Sequence, residues 1–282
     1  MLFDKSSAFI KFLGIAVASL TIGSLSASAV PLSDGLEGYW QFEGNGNDAS
    51  GNGRHLNIVG GRFDAGLVGQ AFFLPGNVPG DDANHAIRPI SDDAFNFGSG
   101  DFTIQIWVRF DSATNAVEQT LIEKFTGGVT SGWTLTRTSS DQIVFTNPAG
   151  GSNIAARSSV GLDITPDVFH QFIVRNDSSN RVDVFLDDTL VAFTTNATVF
   201  GDSANPLLIG GRNGSQDFPV LGGIDEVAIW SRALSDDEIS AVQADASLLS
   251  DSIDSTVPEP AALVLFGLGL AGLGLVRHRK RM

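Results

Sequence analysis

The sequence predicts an all-β fold, a sandwich of packed sheets, on three observations. Short runs of alternating apolar and polar residues recur along the body of the chain. The clearest has Phe102, Ile104, Ile106, Val108 and Phe110 alternating with Thr103, Gln105, Trp107 and Arg109, which gives a strand one strongly apolar face. Clusters of Gly, Asn, Asp and Ser separate the runs and supply the positive φ angles that tight turns need. One helical signature stands out, close to the end of the body. Many short strands at this spacing argue for a sandwich.

Taken from the N-terminus, Lys5 and Lys11 accompany an apolar run at residues 12–25, and Ala27-Ser28-Ala29 follows. This order of basic, apolar and small residues predicts a secretory signal peptide over residues 1–29, cleaved after Ala29. A first membrane helix is the other reading. The run is short and interrupted by Gly14, Ser19, Thr21, Gly23 and Ser24, which suits a cleaved segment better. The sandwich domain is expected over residues 30–246, with further strands at 38–43, 71–74, 120–125, 133–138, 142–146, 169–175, 182–186, 207–210 and 224–230. Ser235-Asp236-Asp237-Glu238 is a capping box, with Leu234 and Ile239 as its staple pair. It starts a helix running to about Ala244, its acidic first turn facing the positive end of the helix dipole. Residues 247–257 are rich in Ser and Asp and are expected to form a flexible stalk.

The C-terminal segment, residues 258–282, contains an uncharged apolar stretch at 261–276 followed by Arg277, His278, Arg279, Lys280 and Arg281. Sixteen helical residues cover ~24 Å against a hydrocarbon core of ~30 Å, a minimal transmembrane helix. The basic cluster keeps the end cytoplasmic and leaves everything before Pro258 outside, the side that the signal peptide predicts. Gly267, Gly269 and Gly272 spell a dinucleotide-binding pattern, but no strand precedes them and the chain ends ten residues on, so that reading is set aside. A permanent anchor, a removable sorting tag and a core helix remain. The body is a complete sandwich without this segment, which counts against the core helix.

Residues 30–260 carry eleven Lys and Arg against thirty-one Asp and Glu, a net charge of −20. Nucleic acid is excluded as a partner, since phosphate binding needs clustered cations, and acidic polymers are disfavoured for the same reason. Neutral glycans, proteins and divalent cations remain. The chain has no cysteine, so it has no thiol catalysis, thiolate zinc site or disulfide. About 210 residues can bury a sufficient core without one.

Two resemblances add to this reading. Val257-Pro258-Glu259-Pro260, the glycine-rich apolar helix and the final Arg-rich cluster resemble the PEP-CTERM sorting signal of exported bacterial proteins. That resemblance implies recognition by an exosortase, a membrane protease that processes the tail near Pro258, Glu259 and Pro260. It further implies a Gram-negative source and release toward the cell surface or its polysaccharide. In the body, the matching pieces begin with Gly38-Tyr39-Trp40-Gln41-Phe42-Glu43, residues 47–53 and Val68-Gly69-Gln70-Ala71. They continue through residues 100–104 leading to Trp107, Val184-Phe185-Leu186-Asp187 and Leu208-Ile209-Gly210. Last come residues 223–230, Arg232-Ala233-Leu234-Ser235 and Glu238-Ile239. In this order they resemble the laminin G-like, concanavalin A-like lectin/glucanase jelly roll, from Gly35 to Asp245. Phe169 and Asp188 depart from the family's usual Trp and Gly.

The same fold hosts glucanases, whose carboxylates sit close together on one strand. Neither E-x-D-x-x-E nor E-x-D-x-E occurs here. Strand alternation is expected to put Asp225 and Glu226 on opposite faces, so they could not bracket one bond. His55, His85 and His170 are far apart, and no G-x-S-x-G elbow is present. The expectation is a protein that is not an enzyme.

The candidate metal is a structural Ca²⁺. Asp48, Ser50, Asn52 and Gly53 fit the opening of an oxygen-rich loop, but Val59 stands where an EF-hand needs its Glu. A glycine-rich turn tied by Asx hydrogen bonds is the other reading of Asp48. The family resemblance implies an ion between an early strand and the last, which adds Glu43 and Asp225. Among the aromatics, Trp40, Trp107 and Trp230 read as packing residues. Trp133 is the candidate sugar-stacking platform, with a core position the other reading.

The sequence thus predicts an exported, non-enzymatic surface or matrix protein, held first in the inner membrane by its C-terminal helix. Its expected act is binding, to a neutral extracellular polysaccharide or a surface protein. The alternatives are a structural matrix component without a specific ligand and an atypical glycan hydrolase.

Overall fold

The computed structural model describes residues 30–76, 84–91, 93–112, 117–125, 131–146, 156–162, 164–177, 179, 181–195, 200–212 and 218–254. Its strands are β1 (Leu36–Trp40), β2 (Asn57–Val59), β3 (Arg62–Ala65), β4 (Gln70–Pro75), β5 (His85–Ile87), β6 (Phe102–Phe110), β7 (Gln119–Phe125) and β8 (Gly132–Arg137). They continue with β9 (Ile143–Thr146), β10 (Ala156–Arg157), β11 (Phe169–Asp177), β12 (Arg181–Leu186), β13 (Thr189–Thr194), β14 (Leu208–Ile209) and β15 (Leu221–Trp230). Two helices follow, α1 (Asp236–Ala244) and α2 (Leu248–Asp254).

The strands form two antiparallel sheets. One has the order β13-β12-β11-β6-β15-β4-β3, with β1 also pairing β15, and the other β10-β9-β8-β7-β14-β5-β2. On β6 the alternation is as predicted. Phe102, Ile104, Ile106, Val108 and Phe110 are fully buried in the core between the sheets. Thr103, Gln105, Trp107 and Arg109 therefore face the other way, onto the outer surface of the eight-stranded sheet.

Part of that outer surface carries a second core. Leu36, Tyr39, Ile173, Ala228 and Trp230 from the sheet pack against Leu234, Ile239, Val242 and Leu249 of the helical segment. The capping box forms as predicted: the Glu238 amide donates to Ser235 Oγ at 3.2 Å, and the Ser235 amide to Glu238 Oε2 at 2.8 Å. Both staple residues, Leu234 and Ile239, are buried. The stalk expected over residues 247–257 is corrected in part. Residues 248–254 form α2, and Leu249 is only 1% exposed, because its apolar side chain completes the second core. The edge strands β2, β3, β10 and β13 and the short inner strand β5 also go beyond the predicted set. Among the described residues no helix is long and apolar enough to cross a membrane. The signal peptide with Ala29, and the segment holding Pro258, Glu259, Pro260 and the apolar stretch 261–276, lie outside the described residues.

Candidate functional site

The last strand changes partner half-way along. On one edge β15 pairs β4 through residues 221–224 and β1 through residues 227–230. Asp225 and Glu226 lie at the junction. On the opposite edge Asp225 stands against Trp107 and Ala228 against Gln105, so three steps on β15 match two on β6. This is a β-bulge, and Glu226 takes the left-handed region at φ 48°. Ile224 and Val227 both enter the inner core. The expected alternation is thereby corrected. The extra residue lets Asp225 and Glu226 both emerge on the outer side, instead of straddling the sheet.

Asp225 is fully buried. Its Oδ2 accepts from the Leu67 and Val68 amides at 2.8 and 3.1 Å, and its Oδ1 from the Glu226 amide at 2.9 Å. Burial pushes its carboxyl up to about 7, against the opposing pull of those amides and with the help of Glu43. Glu226 is also fully buried; its Oε2 accepts from the Tyr39 hydroxyl, while Oε1 has no partner. Burial, with Asp225 and Glu43 nearby, lifts this carboxyl to about 8 even though the Tyr39 bond opposes the shift. Burial and Glu226 together hold the Tyr39 phenol above its usual range. Glu43 is exposed, and both of its oxygens lie 3.1 Å from the Gln70 amide. Gly69 takes φ 57°, the left-handed region that glycine adopts without strain, and its missing Cβ leaves Glu43 Oε1 room beside the loop.

The structure thus brings Glu43 and Asp225 together and adds Glu226. Asp48 stays apart. Its Oδ1 accepts from the Tyr39 and Ser50 amides at 3.0 and 2.9 Å, its Oδ2 from the Arg54 amide at 2.8 Å, and its own amide meets His55 Nδ1. This is the Asx-tied turn, a loop organiser rather than a third ligand. Among the described residues no three His, Asp or Glu side chains are arranged to hold a metal. The pair of Glu43 and Asp225 still fits a hard cation in chemistry. Asp225 Oδ1 and the Glu43 oxygens keep open lone pairs, and no ion pair neutralises either carboxylate among the described residues.

Trp133 is not a surface platform. It is 1% exposed, its Nε1 donates to the Phe95 carbonyl at 2.9 Å, and its ring stacks on Phe97 at 5.3 Å. Its position on β8 faces the inner core, which corrects the stacking expectation. Trp40 and Trp230 are packing residues as expected, whereas Trp107 is only half-buried. His170 bonds Asp187 Oδ2 through Nδ1 at 2.8 Å and the Thr165 carbonyl through Nε2 at 3.0 Å. Sequence reasoning missed Tyr39 and Glu226 as partners, because a bulge leaves no mark in the alternation of IDEVAIW.

A family model described as the concanavalin A-like lectin/glucanases superfamily, in its laminin G form, matches residues 81–240, more than half of the 282-residue chain. The chain belongs to this superfamily. A second model, the PEP-CTERM protein-sorting motif, matches residues 256–280 of this laminin G-like protein. No relative matches among curated proteins. Among solved structures, the binding domain of Paraclostridial Mosquitocidal Protein 1 is 18% identical, with a TM-score of 0.59 over 75% of this chain and 52% of that one. The receptor-binding domain of a botulinum neurotoxin C/D mosaic is 12% identical, with a TM-score of 0.55 over 76% and 52%. The laminin G-like chain thus spans about half the length of these toxin domains. Domain 4 of AbnA, an extracellular arabinanase from Geobacillus stearothermophilus solved with arabinotriose, is 17% identical. It gives a TM-score of 0.57 over 74% of this chain and 98% of that one. At these identities the likeness is one of fold.

Proposed function

We propose that this protein is an exported binding module that takes a neutral glycan at the bacterial surface or in its matrix, and that it is not an enzyme. The observation that carries the reading is the match to arabinanase domain 4, which spans 98% of a domain solved with a sugar bound. The net charge of −15 disfavours polyanionic ligands and leaves neutral ones. The pair of carboxyls with raised pKa, Asp225 and Glu226, resembles a general acid in electrostatics only. Both are fully buried, and a group that cannot touch a glycosidic oxygen cannot protonate it.

The sorting motif at 256–280 supports the rest. The signal peptide directs export, the C-terminal helix holds the protein in the inner membrane of a Gram-negative cell, and an exosortase-type protease processes it. A structural Ca²⁺ shared by Glu43 and Asp225 completes the proposal. It would balance charge where three acids meet, and it takes no part in a reaction.

The test is a glycan array at defined Ca²⁺, paired with reducing-sugar release from the same polysaccharides. Reproducible binding of a restricted set without sugar release is expected. Release of reducing ends overturns the non-enzymatic reading. Absence of any binding leaves a matrix component or a module for a surface protein.

A further inference from the structure

Edge strand β13 carries no charged residue in a strongly acidic chain. Among the described residues it ends its sheet, pairing β12. Phe193 stands opposite Asp183, and Leu190 opposite Phe185. The flanking Val182 and Val184 enter the inner core, so these four residues face outward. Phe193 is 59% exposed and Leu190 40%. Among the described residues Phe193 is the one aromatic side chain with more than half its surface in solvent; the other described rings are buried or half-buried.

The ring is held in place. The Arg181 guanidinium lies over it, 4.8 Å from its centroid, and Arg181 Nε donates to Asp183 Oδ1 at 2.7 Å. Asp183, 1% exposed, takes Arg175 Nη2 on its other oxygen at 2.8 Å. A buried carboxylate thus fixes the arginine that flanks the ring. Among the described residues no acceptor faces the remaining Arg181 nitrogens, Nη1 and Nη2.

We propose that Phe193, flanked by Arg181 on β13's outward face, is a stacking platform for a neutral sugar; this rests on the glycan-binding reading above. The polarised C–H face of a pyranose or furanose meets the negative π-face of the ring. Hydroxyl groups, which both donate and accept, answer the open guanidinium nitrogens of Arg181. The charge balance selects an uncharged ligand. Arg181 is matched by Asp183, and β13 itself offers no counter-ion for an acid or a cation. Trp133 had been the sequence's candidate for this task; the ring that geometry offers lies on the other sheet.

The experiment uses the exported chain and the neutral oligosaccharides of the array, arabinotriose among them, with Kd measured for the tightest wild-type binders. Phe193→Ala should weaken binding on the order of tenfold, about 1.4 kcal/mol, with an unchanged thermal midpoint. Phe193→Trp should restore binding, and Arg181→Gln should weaken it. Amide shifts on titrating the wild type should centre on residues 189–194 and Arg181, a readout that needs no variant. Wild-type affinity in Phe193→Ala, or shifts confined to the loops, overturns the platform and leaves glycan binding standing. A wild type that binds none of the sugars overturns both.

Discussion

The Tyr39 hydroxyl, on the first strand, donates to the buried Glu226 carboxyl group on the last, beneath the two C-terminal helices. This bond ties together the strands that meet where β15 changes partner. Glu226 Oε1 has no partner of its own, so among the described residues the phenol is the group that answers this carboxyl. Tyr39→Phe should cost about 1–3 kcal/mol, the usual penalty for orphaning a buried polar group. It should appear as a lower urea midpoint with an unchanged slope. Glu226→Gln, which keeps an acceptor for the Tyr39 hydroxyl, should cost less. Equal midpoints for wild type and Tyr39→Phe would remove the bond from the stability of the domain.

The proposed Ca²⁺ and pH should act on the same carboxylate, that of Asp225. Burial raises Asp225 from 3.8 to about 7. A raised acid contributes stability that is fully present below its unfolded value and lost as pH rises through the folded one. Without a cation, Asp225 therefore favours folding below pH 3.8 and loses that contribution by about pH 7. A shared Ca²⁺ needs the ionised form, so its effect should be largest above about 7 and fade as the proton competes. Melting at pH 8 in excess Ca²⁺ should exceed melting in EDTA, with a smaller gap at pH 6, and Glu43→Gln should close it. A midpoint indifferent to exhaustive chelation at pH 8 sinks the ion.

His170 should give a separate pH signal. Both ring nitrogens face acceptors, Asp187 Oδ2 and the Thr165 carbonyl, and only the imidazolium can donate to both. The Asp187 hydrogen bond, its charge and the Thr165 carbonyl raise His170 above 6.5, against burial and the Arg137 charge. For Asp187 burial acts upward, but His170 and the Gln171 amide outweigh it and hold the carboxyl below 3.8. The pair is thus most favourable between those two pH values. Its histidine contribution is complete below pH 6.5 and lost as pH rises through the higher folded value. The difference in midpoint between wild type and His170→Gln should shrink from pH 6 to pH 9, while the NMR titration of His170 should fall above 6.5. A pH-independent difference would mean that the ring acts by packing alone.

Much of the scaffold was legible because period-2 patterning and helix capping are local. The β6 alternation and the Ser235–Glu238 box needed only adjacent residues to be read. The site was less legible because it depends on events between distant strands. Nothing in the residues around Asp225 announces that β15 exchanges β4 for β1 there, so regular alternation was the natural expectation. Trp133 followed a turn, and a turn suggests exposure. Only the sheet register shows its indole lying against Phe97. Phe193 lies on β13, outside the predicted strands, and is exposed because it faces outward on a strand that ends its sheet. The stalk was misjudged because Ser and Asp dominate residues 247–254, while Leu248 and Leu249 supply enough apolar surface to dock a short helix.

That docking changes what the sorting tail can do. With α2 ending at Asp254, three residues join the folded body to Pro258, a reach of ~10 Å when fully extended. Before processing, the sandwich would sit close against the membrane surface, and a protease acting near Pro258 would have little slack. Leu249→Asp, which removes the apolar anchor of α2, should lengthen the tether and speed removal of the tail. Insertion of a short Gly/Ser segment after Asp254 should do the same without disturbing the second core. Mass spectrometry of the surface-exposed protein measures both. Loss of the residues 277–282 peptide from the wild type, and faster loss in the two variants, is the expected result. Retention of that peptide on the mature wild type would make the helix a permanent anchor, and equal rates in all three would show that reach does not limit the protease.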